Sequence, residues 1–74
     1  MTLPYERTRS VVQARDFLTE LSQDESLPEE VRTEAKRLLR HYPSKDEVLR
    51  VGRLEEHLTS GTVFQAVFGS TIER

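Results

Sequence analysis

At 74 residues, with 35% hydrophobic and 32% charged residues, the chain is one small domain with little apolar material for a core. It has no cysteine, which excludes disulfides and thiolate zinc sites, and a net charge of −2, which argues against bulk attraction to nucleic acid or anionic membranes. A core of this size rarely supplies more than ~3–5 kcal/mol without a staple, so self-association is the remaining source of stability.

The first segment, "PYERTRSVVQARDFLTELS", has apolar residues at Val11, Ala14, Phe17, Leu18 and Leu21. Steps of three and four place them on one helical stripe, and Pro4 suits a first helical turn, where its missing amide would have no partner. The spacing predicts a helix over about residues 4–22. Val12 lies beside Val11 and widens the apolar face beyond what one neighbour requires.

In "SLPEEVRTEAKRLLRHYP", Ser26 and Glu29 have capping-box spacing and Pro28 falls in the first turn. Leu27, Val31, Ala35, Leu38, Leu39 and Tyr42 form the expected buried stripe. Pro43 pushes Tyr42 out of helical geometry, so this second helix is expected over 27–41.

Ser44 and Glu47 repeat the capping-box spacing and open a third helix over 45–59, with Val48, Val51, Leu54 and Leu58 as its buried positions. Gly52 inside it costs about 1 kcal/mol relative to alanine, which points to close approach of a neighbouring helix. Gly61 is the expected stop. In the tail, 62–74, Val63, Phe64, Val67 and Phe68 recur as two pairs four apart, as in a short helix, yet they also have good strand propensity. Folding back onto the helices is expected for them, with packing on a second subunit the alternative.

Short connections favour antiparallel neighbours. The expected fold is therefore all-α: a small antiparallel three-helix bundle, 1–74, with a short C-terminal helical turn or extended tail. No apolar run approaches the ~20 residues that span a bilayer. "MTLPYERTRS" has no signal-peptide core, so a cytoplasmic location is expected, with no membrane association.

In such a bundle Arg7 and Arg9 would meet Arg37, Arg40 and His41 at one pole, with Glu20, Asp24, Glu25, Glu29 and Glu30 at the other. Arg37, Arg40 and His41 complement the dipole of the second helix and need no ligand. Arg7 and Arg9 sit near a positive helix end, against the dipole. The expected partners are Asp46 and Glu47, in an internal ion-pair network; an anion site formed by Arg7, Arg9, Arg37 and Arg40 is the alternative.

Nucleic-acid binding is disfavoured, because Asp46 and Glu47 would face the phosphates from the start of a reader helix. His41 and His57, the only histidines, lie on different predicted helices, and no glycine-rich phosphate loop or nucleophile–base pair is visible. No enzymatic activity, metal or cofactor is expected. The favoured function is a protein-interaction module or small homo-oligomer, such as a dimer, with Val12, Val63, Phe64, Val67 and Phe68 as its interface. Regulatory binding of nucleic acid or another polyanion through the four arginines is the second reading.

"PYERTRSVVQARDFLTEL", "SLPEEVRTEAKRLLRHYPS" and the following "KDEV" together resemble a family of short uncharacterised bacterial proteins. Its members open with a proline and an E-R-T-R segment and end a second helix in L-R-H-Y-P. The resemblance implies a compact bacterial cytoplasmic domain. It carries over no activity and no site residue.

Overall fold

The computed structural model describes residues 2–73. Arg74, the last residue of the expected tail, lies outside the described residues. Three helices form: α1 (Pro4–Gln23), α2 (Glu29–Arg40) and α3 (Lys45–Thr59). The chain is all-α, and α1 packs against both other helices.

Local chemistry sets each helix end. Pro4 opens α1, and the Glu6 carboxylate accepts from the Leu3 amide at 2.8 Å. The capping box expected at Ser26 and Glu29 does not form. Ser26 turns back instead, its amide 3.0 Å from an Asp24 carboxylate oxygen, and Pro28 occupies the cap position. The Pro28 carbonyl accepts the first amides of α2, from Val31 and Arg32, so this helix starts two residues later than expected. At α3 the box is complete: the Glu47 amide donates to Ser44 Oγ at 3.2 Å and the Ser44 amide to Glu47 Oε1 at 3.0 Å. Gly61 then takes a left-handed backbone, φ 76°, and α3 stops where expected.

The helices are arranged in two layers along a long axis, with extents of 49 × 20 × 17 Å. Leu18 and Leu21 share a cleft with Val31 and Leu38, so α2 runs back along the C-terminal half of α1. Pro43 and Val48 then lie beside Val11, and α3 continues in the same direction past the start of α1. Placed in a row, the two outrun α1. A 20-residue helix is about 30 Å long, whereas α2 and α3 together reach about 40 Å. Among the described residues α2 and α3 do not pack on each other.

Gly52 meets the returning tail, not a helix as expected. A β-carbon there would collide with the Gly69 carbonyl and stand 3.0 Å from the Ser70 amide nitrogen. The tail is irregular and extended. Gly69 is itself pressed onto α1, since a β-carbon there would lie 3.3 Å from the Tyr5 amide nitrogen. Two glycines thus let three backbones stack where side chains would hold them apart.

The core is thin. Ala35, Val48 and Ala66 are its buried apolar side chains among the described residues, at 2%, 4% and 5% exposure. Of the stripe expected to be buried on α3, only Val48 is. Val51, Leu54 and Leu58 remain 45%, 57% and 66% exposed. The line facing α1 and the tail is Val48, Gly52, Glu55 and Thr59, rotated about 95° from them at ~100° per residue.

Gly52→Ala would gain about 1 kcal/mol of helix propensity. It would lose more by overpacking, ~1–3 kcal/mol, because the obstructing atoms belong to backbone. A lower Tm and faster proteolysis within residues 62–70 are expected, with Gly69→Ala milder on both counts.

The Glu47 carboxyl is held below its ordinary value of 4.5 by the Ser44 amide and hydroxyl, helped by Arg50 and Arg15. Hydrogen bonds from Arg37 lower Glu34, and hydrogen bonds from Ser26 lower Asp24. Over this window the unfolded chain binds more protons than the folded one. The contribution of these groups is therefore full above pH 4.5 and is lost as pH falls through their folded values. Circular dichroism should show helix loss on acidification, beginning below about pH 4.5 and shallower in Glu47→Gln.

Candidate interaction surface

The returning tail is held by three side chains. Arg7 Nε donates to the Val67 carbonyl at 2.7 Å and Nη2 to the Ala66 carbonyl at 3.2 Å. Its Nη1 donates to the carbonyl of Thr2 at 2.8 Å and to its hydroxyl at 3.1 Å. Thr8, fully buried at 0% exposure, accepts from the Gly69 amide at 2.8 Å. Its hydroxyl proton faces the carbonyls of Pro4 at 3.0 Å and Gly69 at 3.3 Å. Glu55 of α3 accepts from the Val67 amide at 2.8 Å.

These bonds answer for Arg7 without a ligand and without Asp46 or Glu47. A planar guanidinium with several donors reaches backbone acceptors on both sides of it, which an ammonium cannot do. Arg9 lies over the Tyr5 ring, 5.5 Å from its centroid. Arg37 is paired to Glu34 on the α2 surface, and that is the one ion pair among the described residues. Arg40 is exposed in the last turn of α2. The end of α2 lies beside the middle of α1, with Pro43 next to Val11, and not beside the first turn that carries Arg7.

The expected interface residues are divided. Val63, Phe64 and Val67 are 95%, 74% and 51% exposed. Phe68 is half-buried, lining a cleft of about 190 Å³ with Val11, Pro43, Val48 and Val51. Val12 lies on the opposite flank of α1, in a polar cleft with Arg9, Arg15, Asp16 and Lys45. One Arg15 guanidinium nitrogen there, Nη1, is buried with no hydrogen-bond partner among the described residues.

A larger apolar surface emerges from the helices themselves. Val11, Ala14, Leu18 and Leu21 follow one another along one stripe of α1. Leu18 and Leu21 line a second cleft, about 320 Å³, with Val31, Ala35, Leu38 and, at the rim, Glu30 and Glu34. Both apolar clefts therefore open on the same side of α1. On α2, Val31 and Leu38 lie to one side of the line of buried Ala35 and half-buried Leu39. On α3, Val51, Leu54 and Leu58 lie to the same rotational side of Val48–Gly52. Since α2 and α3 run in the same direction, both sets face one way. Phe17, 59% exposed, borders this side.

Val51, Leu54 and Leu58 were missed as surface residues because apolar periodicity marks a stripe without saying what covers it. Gly52 and Thr59, small residues on the adjacent line, were the available signal of the true contact. Among the described residues no group of three or more His, Asp or Glu is placed to hold a metal, and no helix is long and apolar enough to cross a membrane.

Arg7→Lys should keep the charge and lose most of the tail bonds. Cleavage within residues 62–70 should rise, with helix content by circular dichroism nearly unchanged; equal protease resistance would show that the guanidinium fork is dispensable. No protein-family model, curated protein or solved structure matches the chain.

Proposed function

We propose that the chain is a non-enzymatic, cytoplasmic protein-interaction module that works as a self-associated homo-oligomer. The observation that supports this reading is the one-sided apolar surface. Ten large apolar side chains stay at least 39% exposed among the described residues, against three buried apolar ones, Ala35, Val48 and Ala66. Burying one such side chain is worth about 1.5–3 kcal/mol, so a second copy placed on this side would supply more apolar burial than the monomer core holds. Isolated exposed apolar residues are ordinary on any protein, whereas a contiguous stripe shared by three helices marks an interaction site.

The interface of this reading centres on Val31, Leu38, Val51, Leu54 and Leu58, with Phe68 beside them. Val63 and Phe64, on the exposed bend of the tail, extend it. The arginines favour this reading over polyanion binding, because Arg7 and Arg37 already have partners within the chain.

Sedimentation equilibrium across the micromolar range tests the proposal. The parent should be a dimer or larger. Leu54→Asp should weaken association by at least about tenfold, which needs only ~1.4 kcal/mol. Phe64→Ala should have a smaller effect in the same direction. A parent that sediments as a monomer throughout would overturn the reading.

A further inference from the structure

We propose that the polar cleft on the far flank of α1 binds a small hydroxyl-bearing phosphate monoester through Arg9, Arg15 and Lys45. The cleft is separate from the apolar side, so this site stands or falls independently of self-association.

The observation behind it is the place of Arg15. Thr8, Arg15 and Ser22 follow one another at seven-residue steps, on one line of α1. Thr8 and Ser22 are the buried residues of that helix. Between these two small side chains stands a guanidinium whose Nη1 is sealed from solvent and meets no acceptor among the described residues. No ion pair relieves it, since Arg37 with Glu34 is the one pair among the described residues. Glu47 is close enough for its carboxyl to feel the Arg15 charge, but its Oε1 accepts from the Ser44 amide at 3.0 Å. A buried donor left unmet costs more than a made bond contributes, and so calls for a partner from outside the chain.

The surroundings of Arg15 select that partner. Arg15 lines a cleft of about 480 Å³ together with Arg9 and with Lys45, the first residue of α3. Arg9 rests on the Tyr5 ring and, like the exposed Lys45, forms no ion pair among the described residues. Two guanidinium forks and an ammonium around one space offer more donors than the two oxygens of a carboxylate can use. They match the three terminal oxygens of a phosphate monoester. The same cleft carries Asp16 and Glu73, which are also outside any ion pair among the described residues. These carboxylates would repel a bare phosphate, whereas alcohol groups on an ester would donate to them. Val12 and Ile72 give the carbon chain of such an ester an apolar wall.

Glycerol 3-phosphate, titrated into the full chain at fixed ionic strength, tests the site through amide and arginine side-chain NMR signals. The signals of Arg15 and Lys45 should move and saturate at one ligand per chain. Inorganic phosphate should bind at least about threefold more weakly, since it brings no alcohol groups for Asp16 and Glu73. Arg15→Gln should weaken binding by at least about tenfold, Lys45→Gln by less, and Arg37→Gln not at all. Shifts that grow without saturating, or that persist in Arg15→Gln, would show an adventitious ion only and overturn the site. Equal affinity for the two probes would overturn the ligand class. If Arg15→Gln loses helix content, the charge reversal Lys45→Glu, at an exposed position, takes its place with the same outcomes.

Discussion

The contact between Gly52 and Gly69 is the constraint on which this architecture depends. It brings the tail backbone against α3, and Gly69 in turn rests on the first turn of α1. Nothing bulkier than hydrogen fits at Gly52 and little more at Gly69, so side-chain interdigitation is replaced by backbone stacking. The Gly69 amide and carbonyl brought inside are met by Thr8, while Arg7 and Glu55 hold Val67 nearer the surface. An unmade hydrogen bond in such a place costs more than a made one contributes, so the clasp stands or falls as a unit.

That clasp explains why α3 does not close a compact bundle. Its line of small and polar residues, Gly52, Glu55 and Thr59, is taken by the tail, which leaves the larger apolar residues on the neighbouring line facing outward. The α1–α2 hairpin is left with an open groove for the same reason. One preference, for backbone contact at two glycines, produces both halves of the apolar surface.

Much of this was legible in the residues. Three helices follow from apolar periodicity and from the Ser44–Glu47 box, whose two hydrogen bonds form as their spacing requires. Ser26 and Glu29 have the same spacing without the same outcome, because Pro28 takes the cap position and Asp24 captures Ser26. The tail was harder. Val63, Phe64, Val67 and Phe68 imitate a helical face, but the groups that hold this segment are Arg7 and Thr8, about sixty positions away, acting on backbone atoms with no sequence signature. Arg7 lies against the helix dipole for that reason: its guanidinium serves the carbonyls of Ala66 and Val67. The in-line placement of α2 and α3 was also not readable, since short loops are compatible with either a bundle or a row.

The clasp joins residues 61 positions apart, at Thr8 and Gly69. The α1–α2 hairpin, by contrast, closes over a loop of a few residues and can form early. As the chain leaves the ribosome, α1, α2 and α3 are complete before the segment that braces them has been made. Until Gly69 arrives, the Gly52 face of α3 lacks the backbone that packs against it. The nascent protein therefore passes through an interval in which its apolar surface is at its largest, when contact with neighbouring nascent chains is most hazardous.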